Sequence, residues 1–299
     1  MTKQNVAVIG LGSMGLGIAC SALRGAHRVW GSDPDPAQMT KFQGDGGENE
    51  PPIKVADILD VVVVVVLNAA QTEDVLFGAK GIVPALKKGA VVVSCATVPP
   101  AFARDMGARC MALGVHYLDA PISGGAKKSM NGQLSIMAAG SPDAFDAARP
   151  LLSSVSETLF DLGPEVGAGS AMKSVNQLLA GVHIATMAEA LTFGLTQGVT
   201  ADKFIEVISK CAGTSWMLEN RAPHVAAGDY TAHSSVNIWP KDLGIVLDIA
   251  ETVNFDAPIT TAALAQFKAA ADMGLGFEDD AAVVKVYAEK SGLQLPKAK

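Results

Sequence analysis

The sequence predicts an α/β fold, a doubly wound sheet filling its first half, followed by an all-α second half. Three observations carry this. Short apolar runs alternate with helix-like segments up to about residue 163. One run, Val61–Leu67, is almost all valine, apolar on both faces like a buried central strand of a parallel sheet. Beyond Gly163-Pro164 only helical stretches remain, so the chain divides into 1–163 and 164–299.

In order along the first half, Val6–Gly10 reads as a strand, Gly15 to about Arg24 as a helix and Arg28–Ser32 as a second strand. After the valine run, Ala90–Cys95 and His116–Leu118 repeat the strand pattern, and Gln133–Ala139 and Thr158–Leu162 look like further strands. The second half opens on a proline-free apolar segment from Gly169 to about Gln197. As a helix it spans roughly 40 Å. Apolar nearly all round, it is expected to be buried, in part against a second chain, which favours a homodimer or homotetramer. Helical stretches follow at about 201–211, 240–253, 257–273 and 279–290.

Composition excludes several classes. Of 299 residues 49% are apolar and 18% charged, the reverse of a disordered chain. A formal charge of −7 without a basic run argues against a nucleic-acid partner. The longest uninterrupted apolar run falls well short of the ~20 residues of a membrane span, so no membrane segment is expected. Cys20, Cys95, Cys110 and Cys211 form no CxxC pair and read as mostly buried free thiols of a reducing, cytoplasmic compartment. Five histidines show no spacing that suggests a metal cluster; His183 reads as a buried core histidine and Trp216 as packing.

The strongest local signal is Gly10-Leu11-Gly12-Ser13-Met14-Gly15, a G-x-G-x-x-G between a predicted strand and a predicted helix. The first glycine makes the turn, the second lets a pyrophosphate approach the backbone, and the third lets helix and strand pack closely. The first half is therefore a Rossmann-type dinucleotide-binding domain. The second strand ends at Asp33, placed to accept hydrogen bonds from the adenosine ribose hydroxyls. Pro34-Asp35-Pro36 follows, with no arginine for a 2′-phosphate, so the expected cofactor is NAD rather than NADP.

A dehydrogenase also needs a group that takes the hydroxyl proton. Lys173 and Asn176 lie three residues apart in the first turns of the long helix, on one helix face. A partly desolvated lysine there has its pKa drawn toward working pH. By residue type alone the preferred readings are a solvated helix-start lysine for Lys173 and a turn after a strand for Ser123-Gly124-Gly125.

Four motifs in order resolve this. Gly10–Gly15, the stretch Asp119-Ala120-Pro121-Ile122-Ser123-Gly124-Gly125, Gly167–Asn176, and Lys241-Asp242-Leu243-Gly244 together resemble the β-hydroxyacid dehydrogenase family over essentially the whole chain. The resemblance implies Lys173 as the general acid/base, Ser123, Gly124 and Gly125 as the loop holding the substrate carboxylate, and Asn176 as a substrate-binding amide. It implies Lys241 and Thr97 beside the cofactor. Asn68, at the carboxyl end of the valine strand, joins the cofactor residues because ligands bind there in such sheets.

Three further stretches, Asn68–Glu73, Asn176–Ala185 and Ser215–Arg221, resemble the branch of that family that oxidises the C2 hydroxyl of a four-carbon hydroxy acid, L-threonate, to 2-dehydro-L-erythronate. Gln177 and Asn68-Ala69-Ala70 add polar capacity that suits a polyhydroxy acid. The alternatives are a 3-hydroxyisobutyrate or tartronate semialdehyde enzyme and, outside enzymes, an NAD-binding scaffold. Imine-reducing relatives are expected to lack the lysine.

Overall fold

The computed structural model describes residues 2–298, which contacts divide into two compact units, one ending at Lys173 and one beginning at Ser174. The division falls inside a helix, ten residues beyond the Gly163-Pro164 boundary read from the sequence.

The first unit is built on β1 (Asn5–Ile9), β2 (Arg28–Ser32), β3 (Val61–Val64), β4 (Val91–Ser94) and β5 (His116–Asp119), all parallel, in the order β2-β1-β3-β4-β5. The chain leaves β1 toward β2 and returns on the other side at β3, so the order reverses between β1 and β3, where such sheets bind ligands. Helices α1 (Gly15–Arg24), α2 (Pro36–Gly44), α3 (Ala69–Phe77) and α4 (Pro100–Ala112) fill the crossovers. Each strand is covered on both faces. Val61 and Val63 pack in one core with Val6, Ile18, Phe145 and Leu151, while Val62 and Val64 pack in the other with Trp30, Leu76, Met106 and Tyr117. Each buried valine contributes about 2 kcal/mol, which is why a valine run makes the central strand. The run as read extends to Leu67, but the strand ends at Val64 and Leu67 is 64% exposed.

The two late strands do not extend the main sheet. A second sheet pairs β6 (Ile122–Ser123) antiparallel with β7 (Leu134–Ala138), and β7 parallel with β8 (Ser156–Asp161). Helices α5 (Gly125–Met130) and α6 (Pro142–Val155) connect them. Ser141 starts α6 by accepting the Ala144 N–H, with Pro142 in its first turn.

The second unit is all-α. It contains most of α7 (Ala168–Thr196), then α8 (Ala201–Ile208), α9 (Trp216–Ala227), α10 (Ile238–Thr252), α11 (Pro258–Ala270) and α12 (Val284–Lys290). Its core gathers Ile184, Met187, Leu191, Phe204, Leu243 and Val283 around Trp239, which stacks on Phe267 at 5.5 Å. Thr200 and Ser215 cap α8 and α9 through the Lys203 and Leu218 N–H groups. The sequence reading assigned no helix to α9, which carries Pro223 in its interior.

The long helix is part-buried within the chain: Met172, Val175, Leu179 and Phe193 are 45–66% exposed. By length and hydropathy it is the one helix among the described residues long and apolar enough to cross a membrane, a test that the core helix of a soluble protein passes as well. Trp216, expected in packing, is 60% exposed, and His183 is only half-buried.

Candidate active site

The glycine turn follows β1. Gly10 has φ +91° and its N–H donates to the Ser32 carbonyl at 2.8 Å. A side chain at Gly10 would meet the Val65 carbonyl oxygen at 2.2 Å, and one at Gly15 would meet the Gly10 carbonyl oxygen at 1.8 Å. Only glycine closes this turn. The space beside Gly12 is open to 4 Å, and no side chain caps α1, so its leading N–H groups face a cradle suited to a pyrophosphate. Leu11 contributes backbone alone, since its side chain is in the core; Ser13 is exposed, and the Met14 carbonyl accepts the Ser129 hydroxyl at 2.5 Å.

Asp33 closes onto the same turn. One carboxylate oxygen accepts the Leu11 N–H at 2.6 Å and the other accepts the Asp35 N–H at 2.8 Å. Asp35 in turn caps α2 through the Ala37 N–H. Asn68 follows β3 and caps α3 by accepting the Gln71 N–H at 2.9 Å. Thr97 is half-buried just after β4. The turn, Asn68 and Thr97 thus leave the carboxyl ends of three adjacent strands, and the chain beyond β5 leads to Ser123. These residues fit a dinucleotide at that edge.

Ser123 ends β6, and Gly124 and Gly125 follow with φ +134° and +74°, left-handed conformations that turn the chain into α5. Lys173 comes to this loop. Its side chain is 8% exposed, and Nζ donates to the Ile122 carbonyl at 2.9 Å, one residue before Ser123. The start of α7 is seated by Asp119, which is 1% exposed. Its carboxylate accepts the Gly167 N–H at 3.0 Å, the Ser170 N–H at 2.8 Å and the Ser170 hydroxyl at 2.6 Å. Burial raises the Asp119 pKa above the ordinary carboxylate value, against the hydrogen bonds from Ser170 and Gly167 that lower it.

In the second unit, the Asn176 side-chain amide donates to Gln177 Oε1 at 2.8 Å, and Gln177 Nε2 donates to Asp242 Oδ2. Lys241 Nζ stands 2.5 Å from Asp242 Oδ1. Asp242 and Gln177 are both buried. The polar capacity of Gln177, read from the sequence as directed at substrate, is therefore engaged within the protein. Sequence reasoning assigned no role to Asp119 or Asp242, although both stand inside motifs it singled out. Arg221 is structural: it pairs with Asp280, which also accepts the Trp239 indole N–H at 3.0 Å.

Two family descriptions match the chain. The NAD binding domain of 6-phosphogluconate dehydrogenase matches residues 5–163, and the NAD-binding domain of NADP-dependent 3-hydroxyisobutyrate dehydrogenase matches residues 167–287. The chain is 45% identical to L-threonate dehydrogenase of Cupriavidus necator, covering 98% of each chain. It is 42% identical to L-threonate dehydrogenase of Escherichia coli K12, over all of this chain and 98% of that one. Among solved structures it resembles a 3-hydroxyisobutyrate dehydrogenase from Salmonella typhimurium, with TM-score 0.90 and 40% identity over 95% of this chain and all of that one.

Proposed function

Since the chain belongs to the 3-hydroxyisobutyrate dehydrogenase family of NAD-dependent hydroxyacid dehydrogenases, we propose that it oxidises the C2 hydroxyl of L-threonate to 2-dehydro-L-erythronate, with Lys173 as general acid/base. One observation carries the reading: the Lys173 amine is held 2.9 Å from the Ile122 carbonyl, beside Ser123-Gly124-Gly125. That puts a proton acceptor next to a loop whose backbone N–H groups suit a carboxylate.

NAD, when bound, supplies the hydride acceptor. The chain does the rest. Gly10–Gly15 and the α1 N-terminus hold the pyrophosphate, and Asp33 takes the adenosine ribose hydroxyls and repels a 2′-phosphate. Asn68 and Thr97 line the cofactor at the strand ends, and Lys241 assists on the second unit. Ser123, Gly124 and Gly125 bind the substrate carboxylate. Lys173 accepts the C2 hydroxyl proton as the C2–H bond breaks, and Asn176, one turn along α7, hydrogen-bonds the substrate. Holding hydroxyl, amine and carboxylate in one arrangement supplies much of the rate.

The exposed apolar residues of α7 support a homodimer or homotetramer, which light scattering measures directly. Buried free thiols at Cys20, Cys95 and Cys110 support a reducing, cytoplasmic setting.

The test is a panel of hydroxy acids with NAD, followed by NADH absorbance: L-threonate, D-erythronate, 3-hydroxyisobutyrate, D-glycerate and L-serine. L-threonate is expected to give the highest kcat/KM. A preference for 3-hydroxyisobutyrate would move the assignment to that substrate, a second reading favoured by the name of the Salmonella structure. No signal with any hydroxy acid would leave an NAD-binding scaffold.

A further inference from the structure

We infer that Asp119 is a positioning residue for this reaction: by clamping the first turn of α7, it sets where the Lys173 amine stands relative to the Ser123–Gly125 loop. This rests on the reading of Lys173 as the acid/base.

The geometry has two ends on one short segment. At Asp119 the carboxylate takes the Gly167 and Ser170 N–H groups and the Ser170 hydroxyl, three hydrogen bonds to the residues that open α7. Three residues on, the Ile122 carbonyl takes the Lys173 amine. Ser170 and Lys173 are themselves three residues apart, so they lie on one helix face. The segment 119–125 therefore grips α7 at its start and again one turn along, and then continues as the carboxylate-binding loop.

The grip cannot slide. Asp119 exchanges backbone hydrogen bonds with Ala139 at 3.0 and 2.9 Å, and the Pro121 carbonyl accepts the Met137 N–H at 3.0 Å. On the helix side, a Cβ at Gly169 would fall 2.3 Å from the Asp119 carbonyl oxygen and 2.6 Å from that of Met137. The helix thus rests directly on backbone. Gly167, at φ +103°, turns the chain into the clamp. A buried carboxylate also complements the positive end of the helix.

Asp119 touches no reacting atom in this account; it acts through Gly167 and Ser170. Loss of the clamp frees the first turn of α7, and a displacement of about 1 Å at the amine costs on the order of 100-fold in rate. An asparagine keeps one oxygen for the two N–H groups and offers its NH2 to the Ser170 hydroxyl, so it restores the geometry without the charge.

The experiment compares D119A, D119N, S170A and K173A as full-length proteins, reading kcat and KM for L-threonate, NADH affinity by fluorescence and the thermal midpoint. Expected for D119A is a kcat lower by about 100-fold, with NADH affinity within about twofold of wild type. D119N is expected to recover most of that loss, and S170A to lose about tenfold. If D119A does not fold, S170A and D119N carry the comparison.

Three results would overturn the inference. One is D119A, or in its absence S170A, turning over within about threefold of wild type while K173A is inactive. Another is NADH affinity falling in step with kcat, which marks general damage to the sheet. The third is D119N failing as badly as D119A or K173A. Near-normal turnover by K173A would instead remove the acid/base reading itself, and the clamp's purpose with it.

Discussion

Asp33 accepts the Leu11 N–H at 2.6 Å, so the acid at the end of the second strand is bonded to the glycine turn after the first. The carboxylate proposed to take the ribose hydroxyls therefore also shapes the glycine turn. Asp33→Ala is expected to raise KM for NAD by about tenfold, as loss of a charge-assisted hydrogen bond does. It should also lower the NAD-over-NADP preference, by removing a charge that repels a 2′-phosphate. Initial rates with both cofactors measure this; an unchanged preference would show that Asp33 does not select the cofactor.

Gln177 and Asp242 act as one unit. Both are buried, and Gln177 links Asp242 to the Asn176 amide. In a double-mutant cycle with Gln177→Ala and Asp242→Ala, urea unfolding should give a coupling energy of about 1–2 kcal/mol. Each single variant is expected to raise KM for L-threonate, because Asn176 loses its orientation. Additive stabilities would mean that the hydrogen bond between them contributes nothing.

Acid stability should report on Asp279. Burial pushes its pKa up, but hydrogen bonds from His224 and from the His233 and Ala281 N–H groups, with the Arg221 charge, outweigh this and bring it down to about 2. A depressed carboxyl pKa contributes stability that is fully present above pH ~4 and is lost as pH falls through about 2. The contribution is about 2 kcal/mol. Unfolding of wild type and Asp279→Asn should differ by about that amount at pH 5 and converge toward pH 2. A gap independent of pH would mean that the charge is not what stabilises.

Thiol chemistry should separate Cys211 from the rest. Cys211 is exposed, whereas burial pushes the Cys20 thiol up to about 11 and those of Cys95 and Cys110 up to about 12. Thiolate is the reactive form, so the native protein should show one fast-reacting thiol toward an aromatic disulfide reagent. Cys211→Ser should abolish the fast phase without altering the thermal midpoint.

Much of the first unit was legible because its signals are local. A valine run buried on both faces has few alternatives to a central parallel strand, and the glycine turn needs its three glycines wherever it occurs. Pattern alone did not show that the later strands form their own sheet. That depends on β6, two residues long, pairing antiparallel with β7, which no local periodicity marks. Nor did pattern alone show α9, whose internal Pro223 is a local breaker signal outweighed by the tertiary packing of Met217, Leu218, Ala222 and Val225.

The candidate site divides along the same line. Residue type, order and spacing singled out the glycine turn and Asp33, whereas the Ser-Gly-Gly loop and Lys173 became candidates only through the resemblance of four ordered motifs to a family. Which groups hold them was decided only on folding. Lys173 meets Ile122 and Ser170 meets Asp119 across 51 positions, and Gln177 meets Asp242 across 65. A hydrogen bond needs donor and acceptor within about 3 Å, and that proximity exists only once sheet and helix have packed.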